Sequence, residues 1–386
     1  MKNPKIQFYS LICILLLIVV SGCGGSGGGS NNPPGGNNPP SGPTALNWQS
    51  LDTGLASNIA QGLSKIVVNQ GIPFIACRYS TNDVSILKYD GSWINLYRQY
   101  INTTLEPMEG SPSITFDVFN QVYLACKGTA SGAQGIGFWK YADTDGKFAV
   151  RTMTGGVNAV EPFLSRNSSI LYLLSRDSST SSLTVTSLTI GATSWTGLSD
   201  FGGTCEAADL EVFNDYPYIA FKSLDTGDLF VKKYSANDGE SGAWDSVGSP
   251  VATAIGDFAF DIDSTGMLYT IFTNASGQVA VKKYNTGTTN WETVGPAEYL
   301  FSGNADNVTI FIAGTTPYIA YRDVTNDQIK VRKFADNAWL GLGSFSSEEE
   351  GVSLPTQLDL SLYVDGNVVY AAYMRSGHNA TVKKGQ

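Results

Sequence analysis

The feature that most constrains the fold of this chain is a phrase that recurs seven times at spacings of 46 to 52 residues. Its clearest copy is PYIAYRDVTNDQIKVRKFADNAWLGLG, from Pro317 to Gly343. In this copy residues 318–322 alternate with the period of two that predicts a β-strand, and residues 329–334 predict the next strand. Asp and Asn residues between these strands favour turns, because their side chains bond to nearby backbone groups.

Each copy of the phrase predicts four short antiparallel strands. With residues 308–312 before it and a strand beginning at Trp339, the clearest copy makes a four-stranded meander. In five copies a Lys or Arg follows four residues after the aromatic that marks the second strand, and in most a Trp opens the fourth strand. A repeat of this kind predicts a β-propeller, because a single blade cannot bury both of its faces whereas stacked blades can. The aromatic residues that mark the second strands are Phe74, Tyr123, Tyr172, Tyr218, Tyr269, Tyr318 and Tyr370.

The two ends of the repeat region fit a closed ring. The last copy stops at Gln386 after its third strand, and a matching fourth strand occurs at residues 46–51. We therefore predict an all-β fold, a seven-bladed β-propeller of four-stranded antiparallel blades closed by an N-terminal strand that joins the C-terminal blade. The second blade departs from the pattern, because Trp139 lies in its third strand and Phe148 or Val150 must stand in the fourth. No motif places the propeller in a named subfamily.

Residues 1–22 have the layout of an export signal. Lys2 and Lys5 precede an apolar run at residues 11–20, which leads into Val20-Ser21-Gly22-Cys23. The run is shorter than the roughly 20 apolar residues that a membrane-spanning helix needs. The four residues that end at Cys23 resemble the lipobox of bacterial lipoproteins. This resemblance implies that residues 1–22 are a removed signal peptide and that Cys23 carries fatty acids such as palmitate that anchor the chain in a bilayer.

Residues 23–43 separate the expected anchor from the propeller, which takes up residues 44–386. After Cys23 this segment contains only Gly, Ser, Asn and Pro. It has no apolar side chain to bury, so we expect a disordered tether. Gly24 stands where an aspartate often marks retention in the inner membrane. We therefore expect the bacterial cell envelope as the location, and the outer membrane rather than the inner one.

The balance of charge restricts the classes of partner. The formal net charge is −10, and the loss of Lys2 and Lys5 with the signal would make it −12. An acidic surface disfavours nucleic acid, which needs basic patches, and electrostatic binding to anionic lipid. The expected partners are the bilayer, through Cys23, and a glycan or another envelope protein. We expect the propeller to be a monomer.

The cysteine and histidine residues of the propeller predict no reactive site. Cys77 and Cys126 occupy equivalent positions on the second strands of adjacent blades, and adjacent blades meet through opposite faces, so we expect no disulfide between them. Cys205 lies in a connection and has no evident partner. The single histidine, His378, lies in a turn, and one histidine cannot supply a cluster of histidine ligands. We predict no catalytic and no cofactor-binding residue.

An acid recurs between apolar residues in four of the predicted first strands, which line the central channel of a propeller. A partial ring of carboxylates there could hold a hard cation such as calcium through oxygen ligands. The alternative is structural, because the Lys or Arg of the second strands also occurs about once per blade and could pair with these acids between neighbouring blades. We favour the structural interpretation. The four acids are Asp117, Glu211, Asp261 and Asp359.

The loops between second and third strands and between blades form the propeller face that commonly binds ligands. Aromatic, acidic and amide side chains in these loops suit a sugar or a peptide, although turns have this composition without any ligand. The candidate ligand residues are Tyr97, Glu109, Phe201, Glu206, Tyr299 and Asp327.

Two classes of function fit these features. The favoured one is a membrane-tethered, extracytoplasmic recognition or scaffold module for a glycan or a protein partner, because no catalytic set is visible. The other is a carbohydrate-active enzyme, a glycosidase or lyase that works with Asp, Glu and Tyr. It would need two carboxylates about 5 to 10 Å apart in a pocket. A component of an envelope assembly, in which the propeller docks another protein, is a third interpretation.

Overall fold

The computed structural model describes most of the chain from residue 45 onward. The chain divides into two compact units, Met1–Ser41 and Gly42–Gln386. The first unit, with the predicted signal and most of the predicted tether, lies outside the described residues. The residues that the structure describes are 45–51, 55, 62–78, 84–99, 111–130, 133–142, 147–154, 158–166, 169–236, 242–346, 358–375 and 379–386.

The second unit is the predicted seven-bladed β-propeller. Its regular elements in the described residues are all β-strands, and they form seven sheets of consecutive antiparallel strands. Each sheet is one blade, with the first strand of the meander at the channel and the fourth at the rim. This confirms the fold class that the repeat predicts.

The first three blades follow the chain from residue 62 to residue 197. In blade 1 the first strand is interrupted, so that β2 and β3 both pair with β4. Blade 1 contains β2 (Gly62–Leu63), β3 (Val67–Asn69), β4 (Ile72–Arg78), β5 (Val84–Tyr89) and β6 (Trp93–Gln99). Blade 2 contains β7 (Ser113–Phe116), β8 (Val122–Ala130), β9 (Ala133–Ala142) and β10 (Lys147–Thr154). Blade 3 contains β11 (Ala159–Arg166), β12 (Ile170–Asp177), β13 (Leu183–Thr189) and β14 (Thr196–Gly197).

The remaining four blades repeat the same order of strands. Blade 4 contains β15 (Cys205–Phe213), β16 (Tyr216–Ser223), β17 (Leu229–Tyr234) and β18 (Trp244–Ser246). Blade 5 contains β19 (Ile255–Ile262), β20 (Leu268–Asn274), β21 (Val279–Asn285) and β22 (Asn290–Thr293). Blade 6 contains β23 (Ala305–Ala313), β24 (Thr316–Asp323), β25 (Gln328–Ala335) and β26 (Ala338–Ser346). Blade 7 contains β27 (Ser361–Asp365), β28 (Val368–Arg375), β29 (Asn379–Gly385) and β1 (Trp48–Ser50).

The ring closes in the way that the sequence predicts. Strand β1 pairs with β29 as the outer strand of blade 7, with Trp48 opposite Gly385 and Ser50 opposite Lys383. Blade 7 therefore contains strands from both ends of the propeller, and each end is hydrogen-bonded to the other. Closure of this kind joins the two ends of the ring and protects strand edges that would otherwise be open.

Blade 2 also follows its prediction. Its fourth strand is β10, in which Val150 lies opposite Trp139 and Phe148 lies opposite Tyr141 of β9. The large indole of blade 2 therefore belongs to the third strand, whereas Trp93 of blade 1 begins the fourth strand.

The hydrophobic core is divided among the interfaces between blades. Cys77 of blade 1 packs with residues of blade 7 such as Tyr370, whereas Cys126 of blade 2 packs with Phe74 of blade 1. The two thiols thus point toward the preceding blade in each case. Cys77, Cys126 and Cys205 are free and buried, and burial raises the pKa of each thiol above its ordinary value.

A tryptophan hydrogen bond links the outer parts of five adjacent blade pairs. In each pair the indole N–H of a fourth-strand Trp donates to a backbone carbonyl of the preceding blade, and we call this contact the Trp latch. Between blades 2 and 3, Trp195 packs edge-on against Phe138 at 4.9 Å, and its N–H meets no acceptor in the part of the chain that is described. The five latches run from Trp48 to Leu342 (3.0 Å), Trp93 to Leu51 (2.6 Å), Trp244 to Ser199 (3.1 Å), Trp291 to Val247 (3.2 Å) and Trp339 to Val294 (2.9 Å).

Over the residues that the structure describes, no helix has the length and apolar character needed to cross a membrane.

The Trp latch makes a testable contribution to stability. We expect Trp291→Phe to lower the free energy of unfolding by about 1–2 kcal/mol, because it removes the donor and leaves the Val247 carbonyl without it. Trp195→Phe is the matched control, since it removes an indole N–H that has no acceptor among the described residues, and we expect a smaller loss. The measurement is the midpoint of urea unfolding. Equal losses in the two variants would contradict a stabilising role for the latch.

Candidate functional site

The candidate site is a cavity at one mouth of the central channel. It has a volume of about 310 Å³, and its walls come from the first strands of five blades and the residues next to them. Because a first strand begins at the connection from the previous blade, this mouth lies on the face that carries the loops between blades. We call the cavity the channel mouth. It is lined by Leu63, Lys65, Ser111, Pro112, Ser113, Glu161, Pro162, Phe163, Ala207, Ala208, Asp359, Leu360 and Ser361.

Lys65 lies across the channel at this cavity. Lys65 belongs to blade 1, where it lies between β2 and β3. Its Nζ lies 2.7 Å from Oδ1 of Asp209 in blade 4. The same Nζ is 3.9 Å from Oε1 of Glu211 and 5.5 Å from the centre of the Phe163 ring in blade 3. The side chain of Lys65 remains 49% exposed, whereas that of Asp209 is 7% exposed. The ammonium group of Lys65 thus faces the cavity, and the buried carboxylate of Asp209 holds it in place.

The charges around Lys65 shift one another's ionisation. Removal from bulk water opposes the charge on Lys65, but the carboxylates of Asp209, Glu211 and Asp261 outweigh it and raise the pKa of Lys65. Burial raises the pKa of Asp261 to about 7, although the N–H groups of Ile312 and Ile262 and the charge of Lys65 act in the opposite direction. Burial likewise raises the pKa of Glu211 well above its ordinary value. Three carboxylates and one ammonium group therefore lie close enough in the channel for their charges to influence one another.

The acids of the first strands have a second, structural role, since they accept backbone N–H groups from the next blade. Asp209 Oδ2 accepts from Phe260 at 3.3 Å, and Asp261 Oδ2 accepts from Ile312 at 2.7 Å. In both pairs donor and acceptor are 51 residues apart, so the contact follows the repeat. Polar side chains of other blades accept in the same way: Ser113 from Leu164, Asn307 from Leu358 and Asp359 from Leu63.

The four acids that the sequence singles out do not all lie on first strands. Asp117 lies in the turn between β7 and β8, where its Oδ1 accepts the N–H groups of Phe119 and Gln121. The expected channel position is wrong for this residue, because its carboxylate fixes a turn instead. Asp359 precedes β27, and its Oδ2 accepts from Leu63 N–H at 2.9 Å and from the Ser111 hydroxyl at 3.0 Å.

These placements bear on the calcium hypothesis. Glu211 and Asp261 lie in one electrostatic cluster with Lys65, whereas Asp117 is held by its own turn. Among the described residues, no group of three or more Asp, Glu, His or Cys side chains is arranged to hold a metal ion. Calcium binding therefore stays a sequence-based hypothesis that no described cluster of ligands supports.

Three of the five repeated Lys and Arg residues of the second strands pair with acids of their own blade. Arg322 binds Asp306, with Nε at 2.8 Å from Oδ1, and Arg176 binds Glu161 with two contacts of 3.0 and 2.7 Å. Lys222 Nζ lies 2.9 Å from Glu206. The structural interpretation from the sequence expected these bases to pair with the four singled-out acids, between neighbouring blades. Acid–base pairs therefore exist, but they lie within one blade and involve other acids.

The six candidate ligand residues are scattered in the structure. Phe201 is 3% exposed and packs edge-on against Phe221, so it belongs to the core. Glu206 is exposed and is bound to Lys222. Tyr299 is half-buried against the core between blades 4 and 5, and Asp327 is half-buried in the turn between β24 and β25.

The other two candidates are described in part or not at all. Tyr97 lies in β6 opposite Ile86, and its side chain is outside the described part of the chain. Glu109 lies outside it altogether. None of the four described candidates, Phe201, Glu206, Tyr299 and Asp327, lines the channel mouth.

Of the residues that form the channel mouth, the sequence analysis singled out Asp359 as a candidate and not the others. Lys65 lies outside every repeated motif, in the interruption between β2 and β3, and Phe163 resembles any apolar residue of a first strand. Besides Asp359, the available signal was the Ala207-Ala208 pair beside Asp209, where small residues leave space at the start of a first strand. That signal is not specific without the neighbouring blades.

The comparisons with known proteins concern the fold. No protein family matches the sequence, and no curated protein matches it. The crystal structure of the polysaccharide lyase Uly1 is similar with a TM-score of 0.57 and 10% identity, over 89% of this chain and 99% of that one.

A second similar structure comes from an analysis of two prolyl endopeptidases. Its TM-score is 0.52 and its identity 13%, over 82% of this chain and 47% of that one, so this chain spans about half of its length. At these identities both similarities show the fold alone.

The raised pKa of Asp261 predicts how stability depends on pH. Since its folded-state pKa is about 7 and its ordinary value is 3.8, the folded state binds the proton more tightly. The stabilisation that comes from this tighter binding of the proton is complete below pH 3.8. It is lost as the pH rises through 7. We expect Asp261→Asn to reduce this decrease in the free energy of unfolding with pH. For one proton the slope of the decrease is at most about 1.4 kcal/mol per pH unit.

The test is urea unfolding of both proteins over this pH range. Asp257→Asn is the matched control, because the exposed Asp257 accepts the N–H of Asn307 in the next blade at 2.7 Å. It should keep the pH dependence of the unmodified chain. Unchanged pH dependence in Asp261→Asn would show that Asp261 is not the group that titrates.

Proposed function

We propose that this chain is a lipid-anchored, extracytoplasmic recognition module that binds a glycan or a protein partner at the channel mouth. The observation that carries the proposal is the cavity of about 310 Å³ whose walls come from five blades. Its volume is at the lower end of the range typical of small-ligand sites, and a site at the centre of a closed ring is rigid without a dedicated lid. A pre-formed wall costs little to order when a partner binds.

The groups on this wall suit recognition of a polar partner. Lys65 supplies an ammonium donor, Ser111 supplies a hydroxyl, and Phe163 supplies an apolar ring surface. The ring and the ammonium are already close, which holds both in place. A sugar ring or the polar side chains of a protein segment would find donors, acceptors and an apolar face in one concave surface.

The acids of the cavity favour binding over turnover. Glu161 is fixed by two hydrogen bonds from Arg176, and Asp359 accepts from Leu63 and Ser111. A general acid or base must be free to meet the proton of its substrate, whereas both of these carboxylates already bond to donors of the protein. Both side chains therefore support the shape of the site.

A carbohydrate-active enzyme is the second candidate. Two carboxylates, Glu161 and Asp359, line one cavity, and one of the similar structures is named a polysaccharide lyase. A glycosidase or lyase function would use this pair as acid and base and would require release of at least one of them from its present contacts. A turnover assay on any glycan that binds distinguishes this function from recognition.

The binding test fills the cavity without removing a core residue. Ala207 is exposed and lines the channel mouth, so Ala207→Trp should block it. Ala275→Trp places the same bulk in an exposed turn between β20 and β21, on the same face and outside the cavity. We expect the unmodified chain and Ala275→Trp to bind a glycan on an array or a protein from envelope extract, and Ala207→Trp to lose that binding about tenfold or more.

Each outcome of this test has a clear meaning. Loss of binding in Ala207→Trp alone supports recognition at the channel mouth. Binding by Ala207→Trp that equals that of the unmodified chain would place recognition elsewhere and overturn the proposed site. Release of a shortened glycan from the bound one would replace the recognition function with an enzymatic one.

Membrane attachment has a separate test, which rests on the lipobox at Val20-Ser21-Gly22-Cys23. We expect the chain, expressed in a bacterium, to enter the membrane fraction and to incorporate labelled palmitate. Cys23→Ala should abolish the label, because it removes the sulfur that carries the lipid. Cys13→Ala is the matched control, since Cys13 lies within the predicted signal, and should keep the label. Label that persists in Cys23→Ala would contradict this part of the proposal.

A further inference from the structure

A second cavity lies between blades 4 and 5, on the face opposite the channel mouth. It has a volume of about 370 Å³ and is open to solvent on one side. It is lined by the turn between β19 and β20, by the start of β16 and by the end of β17, which all lie where first strands end. We call it the inter-blade cavity. The sequence pointed to the other face, so no candidate residue falls here.

Blade 4 contributes three polar side chains in a row. Tyr218, Lys233 and Asp245 are direct neighbours across β16, β17 and β18, so their side chains leave the sheet on the same face. Lys233 Nζ lies 4.1 Å from the centre of the Tyr216 ring and 5.6 Å from that of Tyr218, which orients the ammonium group. Within the described part of the chain, neither Lys233 nor Asp245 forms an ion pair. A fixed cation, a carboxylate and a phenol are thus available to a ligand.

Blade 5 contributes a wall that is held rigid by an acid in its turn. Asp263 Oδ1 accepts the N–H groups of Thr265 and Met267 and the Thr265 hydroxyl, at 2.7 to 2.9 Å. Gly266 has a φ of 89°, and a Cβ there would lie 2.5 Å from the Phe213 ring, so the turn needs a glycine. The position of Met267 on the cavity wall is therefore fixed before any ligand binds.

The outer end of the cavity is fixed by an aromatic pair and a Trp latch. The Tyr284 and Trp291 rings of blade 5 are 5.3 Å apart, and the Trp291 indole donates to the Val247 carbonyl of blade 4. Both Tyr284 and Val247 line the cavity. The two blades that form the site are thus joined at its edge.

The same position between blades 2 and 3 provides a natural comparison. Tyr123 and Lys140 there occupy the places of Tyr218 and Lys233, with Lys140 Nζ 5.5 Å from the Tyr123 ring centre. The opposite wall is apolar, because Leu188 and Ile190 replace Tyr284 and Thr286 in the repeat. The space there is only about 30 Å³. The repeat therefore supplies the Tyr-Lys pair, and blade 5 converts the position into an open polar cavity.

We propose that the inter-blade cavity binds one unit of a saccharide, with Asp245 and Lys233 bonding to adjacent hydroxyls and the tyrosines packing against the ring. A carboxylate accepts from two hydroxyls and an ammonium group donates to their oxygens, so the two side chains match the donor and acceptor sets of a vicinal diol. Tyrosine offers an apolar face and a hydroxyl in one rigid group. One positive and one negative charge favour an uncharged sugar over an anionic one.

This site extends the proposed recognition function to a second face and does not depend on the channel mouth. The two cavities share no lining residue, so each can be blocked separately. A chain with both sites could bind one polymer or glycan surface at two places, and its avidity would exceed the affinity of either site.

The experiment uses a methionine of the cavity as a reporter. The chain has five methionines, Met267 lines the cavity, and Met374 is buried between blades 7 and 1 as an internal reference. The full chain is labelled with ¹³C-methyl methionine, and Met267→Leu assigns the signal. The probes are the methyl glycosides of glucose, galactose, mannose and N-acetylglucosamine. We expect at least one of them to shift the Met267 signal in a saturable way and to leave that of Met374 unchanged.

Variants decide whether the shift reports the proposed contacts. We expect Lys233→Gln and Asp245→Asn to weaken binding about tenfold or more, because hydrogen bonds to charged groups are worth that much. Lys140→Gln removes the equivalent lysine between blades 2 and 3 and should bind as the unmodified chain does. Ala207→Trp should also leave this shift unchanged, even where it abolishes binding at the channel mouth.

The proposal is overturned if none of the four glycosides shifts Met267, or if Lys233→Gln and Asp245→Asn bind as tightly as the unmodified chain. A glycan that binds the array in an Ala207-dependent manner without a shift of Met267 would support the channel mouth and end the inter-blade proposal. A Met267 shift without Ala207-dependent binding would support the inter-blade cavity and contradict recognition at the channel mouth.

Discussion

The fold depends on a hydrogen bond that crosses from one blade to the next at the channel. The backbone N–H of a first strand donates to a polar side chain of the preceding blade, as Ile312 does to Asp261 and Leu358 does to Asn307. First strands lie nearly side by side without forming a ladder with each other, so their inward N–H groups would otherwise lack partners in a narrow space. The Trp latch joins the outer parts of the blades, and the side-chain acceptors join the inner parts. The blade interfaces in between are then free to be apolar.

The sequence predicted the fold because the repeat is visible to local rules. Period-two strands, Asx turns and recurring aromatics are each a property of a few neighbouring residues, and the spacing of the copies sets the number of blades. Ring closure was also predictable, because the missing strand of the last blade could be counted. The sites were not predictable in the same way. The channel mouth combines residues from five blades, and Lys65 meets Asp209 across 144 positions in the chain. No local pattern marks such a pair.

The four acids show that a repeated sequence pattern can be real while the structural roles of its residues differ from the expected ones. The four singled-out carboxylates share a sequence environment of apolar neighbours, yet Asp117 fixes a turn and Asp261 accepts the N–H of the next blade. The expected pairing of acids with Lys and Arg also exists, but it joins β24 to β23 within one blade, as for Arg322 and Asp306. Sequence identifies which residues recur, whereas the partner of each depends on the tilt and separation of strands.

The way in which the ring closes has a mechanical consequence. The chain enters the propeller through β1, whose three residues are hydrogen-bonded at the rim to the last strand of the chain. A pulling force applied from the N-terminal side would act first on this short strand, and Trp48 would add the contact of its indole with Leu342 to the resistance. Detachment of β1 would leave the edge of β29 without its partner. It would also open blade 7, which is built from strands of both ends of the propeller. The closure that stabilises the domain is thus also the place where a load on it would be borne.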